Sequence, residues 1–181
     1  MLTQRYDADP QIRHARQYSP VWHSPAIVIA VRLYAAYGSN LDPGRMQAYC
    51  PRSPMTGIGW LEGWRLTFAG ETELGWEGAV TTIVEAEGER VFVALYDVHP
   101  LDEKQLDEVE GVTGGTYGKL HVRVATLEGD VTAWVYVYNG YEGGLPTAWY
   151  LAEIAAAAEK AGAPVDYVAQ LRDRPTSTPS P

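Results

Sequence analysis

A glycine turn at Tyr37-Gly38-Ser39-Asn40-Leu41 joins a strand-like run to a helix-like one, and this junction constrains the fold most. The run from Arg32 to Tyr37 is typical of a strand, and Asp42-Pro43 marks a helix start with an N-cap carboxylate and proline in the first turn. Gly38 can take a positive φ, which would let the following N–H groups converge on one anion. We therefore expect a pocket for a small carboxylate, although a glycine turn here can also serve structure alone.

The rest of the chain predicts one mixed α+β domain, as expected for 181 residues. A hairpin turn is indicated at Glu128-Gly129-Asp130. Strands are predicted at 32–37, 79–84, 91–98, 121–127 and 132–138, with a weaker sixth at 64–68. Helices are predicted after Asp42-Pro43, over 100–110, over 147–161, and briefly after Pro164. This pattern favours a small curved sheet or barrel of 5–6 strands with 3–4 flanking helices.

The two ends of the chain read differently from this body. Residues 1–30 lack an amphipathic period and contain helix-breaking prolines, so we expect a disordered or misannotated extension with Val31 as the true start. Residues 173–181 are rich in Pro, Ser and Thr and predict a disordered tail. Residues 31–172 then form the folded domain. The apolar run at 26–31 is far too short to span a bilayer.

The charge and cysteine content limit the possible partners. A net charge of −9 argues against nucleic acid and anionic lipid, which both require a basic face, and favours a small-molecule ligand. The single cysteine, Cys50, permits no internal disulfide and fits a reducing cytoplasm. The four histidines are dispersed, so we expect no metal site. Cys50 as an amidase nucleophile is disfavoured because no histidine stands at a recognisable spacing from it.

Glu110 is the candidate acid/base group. Leu106 and Val109 define the apolar side of the 100–110 helix, and Glu110 lies at the edge of that side. Partial burial and the negative end of the helix dipole would both raise its carboxyl pKa toward the range useful for proton transfer. The competing interpretation is an ordinary solvated Glu at a helix end. We expect surface positions for the neighbouring acids Glu103, Asp107 and Glu108.

These motifs resemble the γ-glutamylcyclotransferase family. The family pattern Ala-Tyr-Gly-Ser-Asn-Leu stands at 36–41, and Leu-Asp-x-x-Glu-Gly-Val stands at 106–112, followed by Tyr117. The run Pro146-Thr-Ala-Trp-Tyr150 is also similar to the family. The resemblance covers about residues 31–172.

The resemblance implies a cofactor-independent and metal-independent enzyme of glutathione metabolism. Such enzymes cyclise a γ-glutamyl group: its free α-amine attacks its own γ-carbonyl, which releases 5-oxoproline and the amine or peptide formerly attached. Glu110 would be the general acid/base, and the 38–41 turn would hold the α-carboxylate. The substrate-binding residues implied in this way are Tyr37, Gly38, Ser39, Asn40, Leu41, Tyr117, Tyr136 and Tyr150.

Two other interpretations stay open at this point. The same scaffold could act on a γ-glutamylamine or on a protected biosynthetic intermediate, or it could be a non-catalytic γ-glutamyl-binding domain. We expect the leaving-group pocket to be formed by loops at 72–76 and 139–145. Oligomeric state cannot be read from these patterns.

Overall fold

The computed structural model describes residues 32–70 and 78–177. The extension at 1–30 and the loop at 72–76 lie outside these ranges. The strands are β1 (Leu33–Ala36), β2 (Met55–Ala69), β3 (Val80–Asp97), β4 (Tyr117–Thr126) and β5 (Gly129–Tyr138). The helices are α1 (Pro43–Tyr49), α2 (Pro100–Val109), α3 (Ala148–Lys160) and α4 (Val165–Arg172), with a short 3₁₀ turn at Ser39–Leu41.

The strands form a closed barrel in the order β1-β3-β2-β4-β5. Every pairing is antiparallel except the one that closes the barrel, where Tyr34 of β1 pairs in parallel with Trp134 of β5. The predicted mixed α+β fold with a small barrel is confirmed.

Two of the predicted strands are the two halves of a single strand, β3. The signals at 79–84 and 91–98 both lie in β3, and the weak signal at 64–68 lies within the 15 residues of β2. The polar run at 85–90 separates the two β3 signals because it is largely exposed, so it lacks the apolar residues by which buried strands are recognised. Backbone pairing with β2 holds the two ends of this run, where Glu85 pairs with Trp64 and Arg90 with Glu62, and the register is irregular between these pairs.

The helices begin and end at the residues that the sequence predicts. The Asp42 carboxylate accepts a hydrogen bond from the Gly44 amide at 2.9 Å and caps α1. Gly111 follows the C-terminal cap of α2 with a φ of 66°, which favours glycine, and Gly162 follows that of α3 in the same way with a φ of 86°. The Thr147 hydroxyl accepts from the Tyr150 amide and caps α3. These caps fix where Glu110 and Tyr150 stand relative to the barrel.

The buried side of α2 differs from the predicted one. Leu106 is buried as expected, but Val109 is 57% exposed, and Asp102 is buried in its place. Asp102 and Leu106 are four residues apart and share one face of the helix, while Val109 lies beside it. The Asp102 carboxylate accepts from the Arg52 amide, the Arg52 guanidinium and the Ser53 hydroxyl, which makes its burial tolerable.

The C-terminal residues continue past the predicted domain boundary. The Arg174 guanidinium donates to the Leu66 carbonyl at 2.7 Å, and the Ser177 amide donates to the Pro146 carbonyl at 2.8 Å. The described part of the predicted tail therefore lies against β2 and the segment before α3. No helix within 32–70 and 78–177 is long and apolar enough to cross a membrane.

Candidate active site

The turn after β1 lies at the centre of the candidate site. Gly38 has φ −108° and ψ −140°, so the predicted positive φ is wrong. Glycine is needed here because a Cβ would stand 2.7 Å from the Thr81 Oγ1 atom. The Leu41 amide donates back to the Gly38 carbonyl at 2.9 Å, so it is not free for an anion. The amides of Ser39 and Asn40 begin the 3₁₀ turn and have no intrahelical acceptor, as at any helix start.

The Asn40 side chain joins this turn to Glu110. Its Nδ2 donates to the Glu110 Oε1 atom at 2.9 Å and to the Tyr34 hydroxyl at 3.2 Å. Asn40 is buried, so these contacts hold its amide in one orientation. The two sequence motifs, 70 residues apart, therefore meet in direct contact.

Glu110 stands at the C-terminal end of α2, directed toward the barrel. Burial raises the pKa of its carboxyl above the ordinary value, and the Asn40 hydrogen bond and the positive charge of Arg45 offset this only in part. A carboxyl with a raised pKa accepts and returns protons near neutral pH more readily than an ordinary Glu does.

Thr81 of β3 holds two of the candidate tyrosines. The Tyr150 hydroxyl lies 3.0 Å from the Thr81 Oγ1 atom and also accepts from the Thr81 amide at 3.3 Å. The Tyr117 hydroxyl donates to the Thr81 carbonyl at 3.3 Å. Thr81 also limits the space beside Gly38, so one strand residue positions the glycine turn and two tyrosines.

Tyr136 is held from the outside of the site by charged residues. Its hydroxyl donates to the Asp107 carboxylate at 2.5 Å, and the Lys119 ammonium lies 2.8 Å from that carboxylate. The expectation that Asp107 is a plain surface charge is therefore wrong. Glu103 pairs with the same ammonium, whereas Glu108 is exposed as expected. The Tyr37 hydroxyl donates to the Tyr136 carbonyl, so it faces the barrel wall rather than open space.

Most of the predicted site residues line one small cavity of about 60 Å³. Leu41 does not line it, because its side chain is fully buried in the core. Two further lining residues, Tyr34 and Thr81, were not predicted. The predicted residues that do line the cavity are Tyr37, Gly38, Ser39, Asn40, Glu110, Tyr117, Tyr136 and Tyr150.

A larger cavity of about 490 Å³ adjoins the small one. The two cavities share four lining residues, namely Ser39, Glu110, Tyr117 and Tyr150. The walls of the larger cavity come from the end of α2, the start of α3 and α1. The loop at 139–145, expected to form the leaving-group pocket, lines neither cavity in the described chain, and its Glu142 pairs instead with Arg65 at 2.8 Å.

Cys50 is remote from this chemistry. It is buried and lines neither of the two cavities described above. Burial and the nearby Asp102 charge raise the pKa of its thiol to about 11, which keeps it protonated and poorly nucleophilic at neutral pH. Within 32–70 and 78–177, no group of three or more His, Cys, Asp or Glu side chains is arranged to hold a metal ion.

The site thus combines a turn that can bind a small anion, a carboxyl group suited to proton transfer and a wall of tyrosine side chains. These groups can hold a small carboxylate beside a reacting amine and carbonyl. The larger cavity leaves room for a second group next to Glu110.

Comparisons with known proteins agree with this chemistry. Residues 90–171 match the model of the AIG2-like family. The chain is 33% identical over 144 residues to a human protein named gamma-glutamylcyclotransferase, with 77% of each chain covered. It is 32% identical to a bovine protein of the same name, with 77% of this chain and 76% of the relative covered. A solved structure named gamma-glutamyl cyclotransferase superimposes with a TM-score of 0.75 at 30% identity, covering 82% of this chain and 90% of that one.

Proposed function

Given that this chain belongs to the γ-glutamylcyclotransferase family, we propose that it converts γ-glutamyl amino acids or peptides to 5-oxoproline and a free amine. The observation that carries the proposal is the contact between Asn40 and Glu110, because it sets a carboxyl of raised pKa beside the turn that can hold a carboxylate. Residues 31–172 would make up the catalytic domain.

The proposed reaction needs proton transfer at two nitrogen atoms. Glu110 takes a proton from the α-ammonium of the substrate, since only the free amine has a lone pair to attack. The amine nitrogen then forms a bond to the γ-carbonyl carbon within the same molecule. The bond from that carbon to the leaving nitrogen breaks as Glu110 returns the proton to this nitrogen. The ring nitrogen gives its second proton to the released amine, which departs as an ammonium ion. Because amine and carbonyl belong to one molecule, the chain mainly supplies conformation and proton transfer.

The turn after β1 would bind the other charged end of the γ-glutamyl group. The amides of Ser39 and Asn40 point out of the first turn of a 3₁₀ helix, where backbone N–H groups favour an anion. A carboxylate held there, or the developing oxyanion of the γ-carbonyl, would be stabilised by these donors. Asn40 would act twice, through its amide and through the side chain that orients Glu110.

The tyrosines would position the substrate rather than exchange protons with it. Burial raises the pKa of the Tyr37 and Tyr150 hydroxyls above the ordinary value, so they stay neutral. The Tyr37 hydroxyl already donates to the Tyr136 carbonyl, so of these two the Tyr150 hydroxyl is the one that could donate to a substrate. Burial raises the pKa of Tyr117 and Tyr136 in the same direction. A wall of neutral hydroxyls can surround a zwitterionic γ-glutamyl group without adding charge.

A small-molecule substrate, a cytoplasmic location and a place in glutathione metabolism are parts of the same proposal. The net charge of −9 gives no basic face for nucleic acid, and the single cysteine fits a reducing compartment.

Replacing Glu110 with Gln tests the proposal. We expect Glu110→Gln to lower 5-oxoproline release from γ-glutamyl amino acids by about a hundredfold or more, because the amide cannot accept the proton. Folding should be kept, since Gln has the same size and Asn40 can still donate to its oxygen. The measurement is 5-oxoproline formation by the purified chain, with circular dichroism to verify folding.

Glu108→Gln is the matched control, because Glu108 lies on the same helix and is exposed. Its turnover should equal that of the unmodified chain. Turnover by Glu110→Gln at the unmodified rate would contradict the assigned role. Binding of γ-glutamyl compounds without any turnover by the unmodified chain would instead indicate a non-catalytic binding domain.

A further inference from the structure

The larger cavity lies where the departing half of the substrate must go. It shares Glu110 with the small cavity, and Glu110 is the group that returns a proton to the leaving nitrogen in the proposed reaction. The scissile bond therefore lies at the junction of the two cavities. The residues that line only the larger cavity contact what is released rather than what is cyclised.

Two exposed apolar side chains line this cavity. Val109 is 57% exposed at the end of α2, and Trp149 is 74% exposed in the first turn of α3. Each stands next in sequence to a residue of the shared junction, Glu110 or Tyr150. A large apolar side chain left open at a cavity gains stability when a ligand covers it.

One cationic group lines the same cavity. The Arg45 guanidinium donates from its Nη1 atom to the Glu153 carboxylate at 3.0 Å, and the Arg45 side chain is 36% exposed. Its buried Nε finds no acceptor among the described residues. A guanidinium can bind a carboxylate through more than one N–H, and most of its donors remain for a ligand.

We propose that the larger cavity receives a leaving amino acid with a free α-carboxylate, paired with Arg45, and a bulky apolar side chain, packed on Val109 and Trp149. A leaving amino acid is linked through its nitrogen, so its carboxylate is the charged group that remains on its backbone. Among the described residues that line this cavity, Arg45 is the one cation that complements it. A γ-glutamylamine lacks this carboxylate and is the poorer substrate. This inference rests on the proposed cyclisation at Glu110.

The test compares three substrates by kcat/KM for 5-oxoproline release. They are γ-glutamyl-leucine, γ-glutamyl-glycine and γ-glutamyl-isoamylamine, the last having the leucine skeleton without its carboxylate. We expect the leucine compound to exceed the glycine compound by about tenfold or more, the scale on which apolar pockets distinguish side chains. It should exceed the amine by about tenfold, as a partly exposed charge-assisted contact allows.

Substitutions test which residues produce each substrate preference. Trp149→Ala and Val109→Ala should reduce the leucine-over-glycine preference several-fold, chiefly by lowering kcat/KM for γ-glutamyl-leucine. Leu127→Ala is the matched control, because Leu127 is also exposed and apolar but lies in the β4–β5 turn. Its preference should match that of the unmodified chain.

Arg45→Gln should remove the leucine-over-isoamylamine preference. If that variant fails to fold, Glu153→Gln replaces it: removing the competing charge from the guanidinium should widen the preference, and an unchanged preference would count against Arg45. Equal kcat/KM for the three substrates in the unmodified chain overturns the inference and leaves the proposed function standing. A preference that the Trp149, Val109 and Arg45 variants all retain also overturns it. Absence of 5-oxoproline from every substrate overturns the inference together with the proposed function.

Discussion

Gly38 and Thr81 approach each other so closely that the turn carrying Ser39 and Asn40 depends on the absence of a side chain. A Cβ at residue 38 would stand 2.7 Å from the Thr81 hydroxyl, closer than packed atoms approach. The same hydroxyl contacts the Tyr150 hydroxyl at 3.0 Å. A displacement of Thr81 would therefore move both the turn and a tyrosine of the site.

Gly38→Ala should impair both activity and stability. We expect 5-oxoproline release to fall about a hundredfold, as a shift of about 1 Å in a reacting site can cause. The free energy of unfolding should fall by about 1–3 kcal/mol, because the added methyl overpacks the site. Turnover assays and urea denaturation measure the two effects.

Gly57→Ala is the matched control for this substitution. Gly57 has no positive φ, and no atom lies within 4 Å of the Cβ that alanine would add there. Its activity should be unchanged. If Gly38→Ala is as active as Gly57→Ala, the close approach to Thr81 does not constrain the site.

Sequence patterns marked Glu110 and the turn as candidates because each carries a local signature, a capped helix end or a strand followed by glycine. The acid/base role proposed for Glu110 came from the resemblance to the family. Sequence patterns missed Thr81 because nothing near it marks its role. Its hydroxyl and backbone atoms contact Tyr117 and Tyr150, which stand 36 and 69 residues away. Such contacts depend on strand register, which local periodicity does not determine.

At the scale of elements, the hydrogen bonds of Asp102 anchor α2 and so fix the position of Glu110 at the end of this helix. The Asp102 carboxylate lies on the same face of α2 as Leu106. It accepts hydrogen bonds from Arg52 and Ser53 in the segment after α1. Burial alone would raise its pKa, but the hydrogen bonds from Ser53 and Arg52 and the Arg52 charge outweigh burial and lower it. The charged form of Asp102 therefore stabilises the fold.

Asp102→Asn should destabilise the chain in a pH-dependent way. We expect a loss of about 3 kcal/mol near pH 7, where Asn cannot replace the acceptor of three donors. The pKa of the Asp102 carboxyl is lowered in the folded chain, so the folded chain binds this proton more weakly than the unfolded chain does. The stabilisation is therefore present above the unfolded pKa of about 3.9 and is lost as pH falls through the folded pKa. Urea denaturation at several pH values measures this difference.

The gap between the unmodified chain and Asp102→Asn should narrow as pH falls below about 4, because the carboxyl is then protonated in the unfolded chain while the folded chain, with its lowered pKa, still keeps it charged. Glu108→Gln, on the same helix but exposed, should show no loss at any pH. A constant gap between the two chains from pH 7 to pH 3 would contradict a stabilising charge at Asp102.

Helices were predictable at this scale because capping residues mark their ends, whereas strand boundaries were not. The Glu-rich run at 85–90 carries no apolar alternation, yet it lies within β3, and β2 pairs with the residues at its two ends, Glu85 and Arg90. Likewise Val109 fits the apolar side of α2 by spacing, but no neighbouring element covers it. Tertiary pairing, not local preference, decides such cases.

At the scale of the whole molecule, residues 174–177 contact two parts of the chain that are distant in sequence. Arg174 binds the Leu66 carbonyl on β2, and Ser177 pairs with the segment at Pro146 and Thr147 that begins α3. Because α3 carries Tyr150, this segment also supports one wall of the site.

A chain ending at Arg172 should therefore be less stable than one ending at Ser177. We expect a difference of about 2 kcal/mol in the free energy of unfolding, the sum of two hydrogen bonds. The chain ending at Ser177 should match the full chain in thermal denaturation and turnover. Equal stability of the two shortened chains would instead place residues 173–177 in the disordered tail that composition suggests.

The parallel pair between Tyr34 and Trp134 has a consequence for the order in which function arises as the chain folds. The turn at 38–41 follows β1 directly, and the backbone pair of β1 with β5 joins residues about a hundred positions apart in the chain. Loop-closure entropy rises with loop length, so we expect this contact to form after the pairing of strands that are neighbours in sequence. The barrel can be largely assembled before the turn meets the wall containing Tyr136. Catalytic competence is then among the last properties the molecule acquires, and it is the first to disappear when β1 detaches.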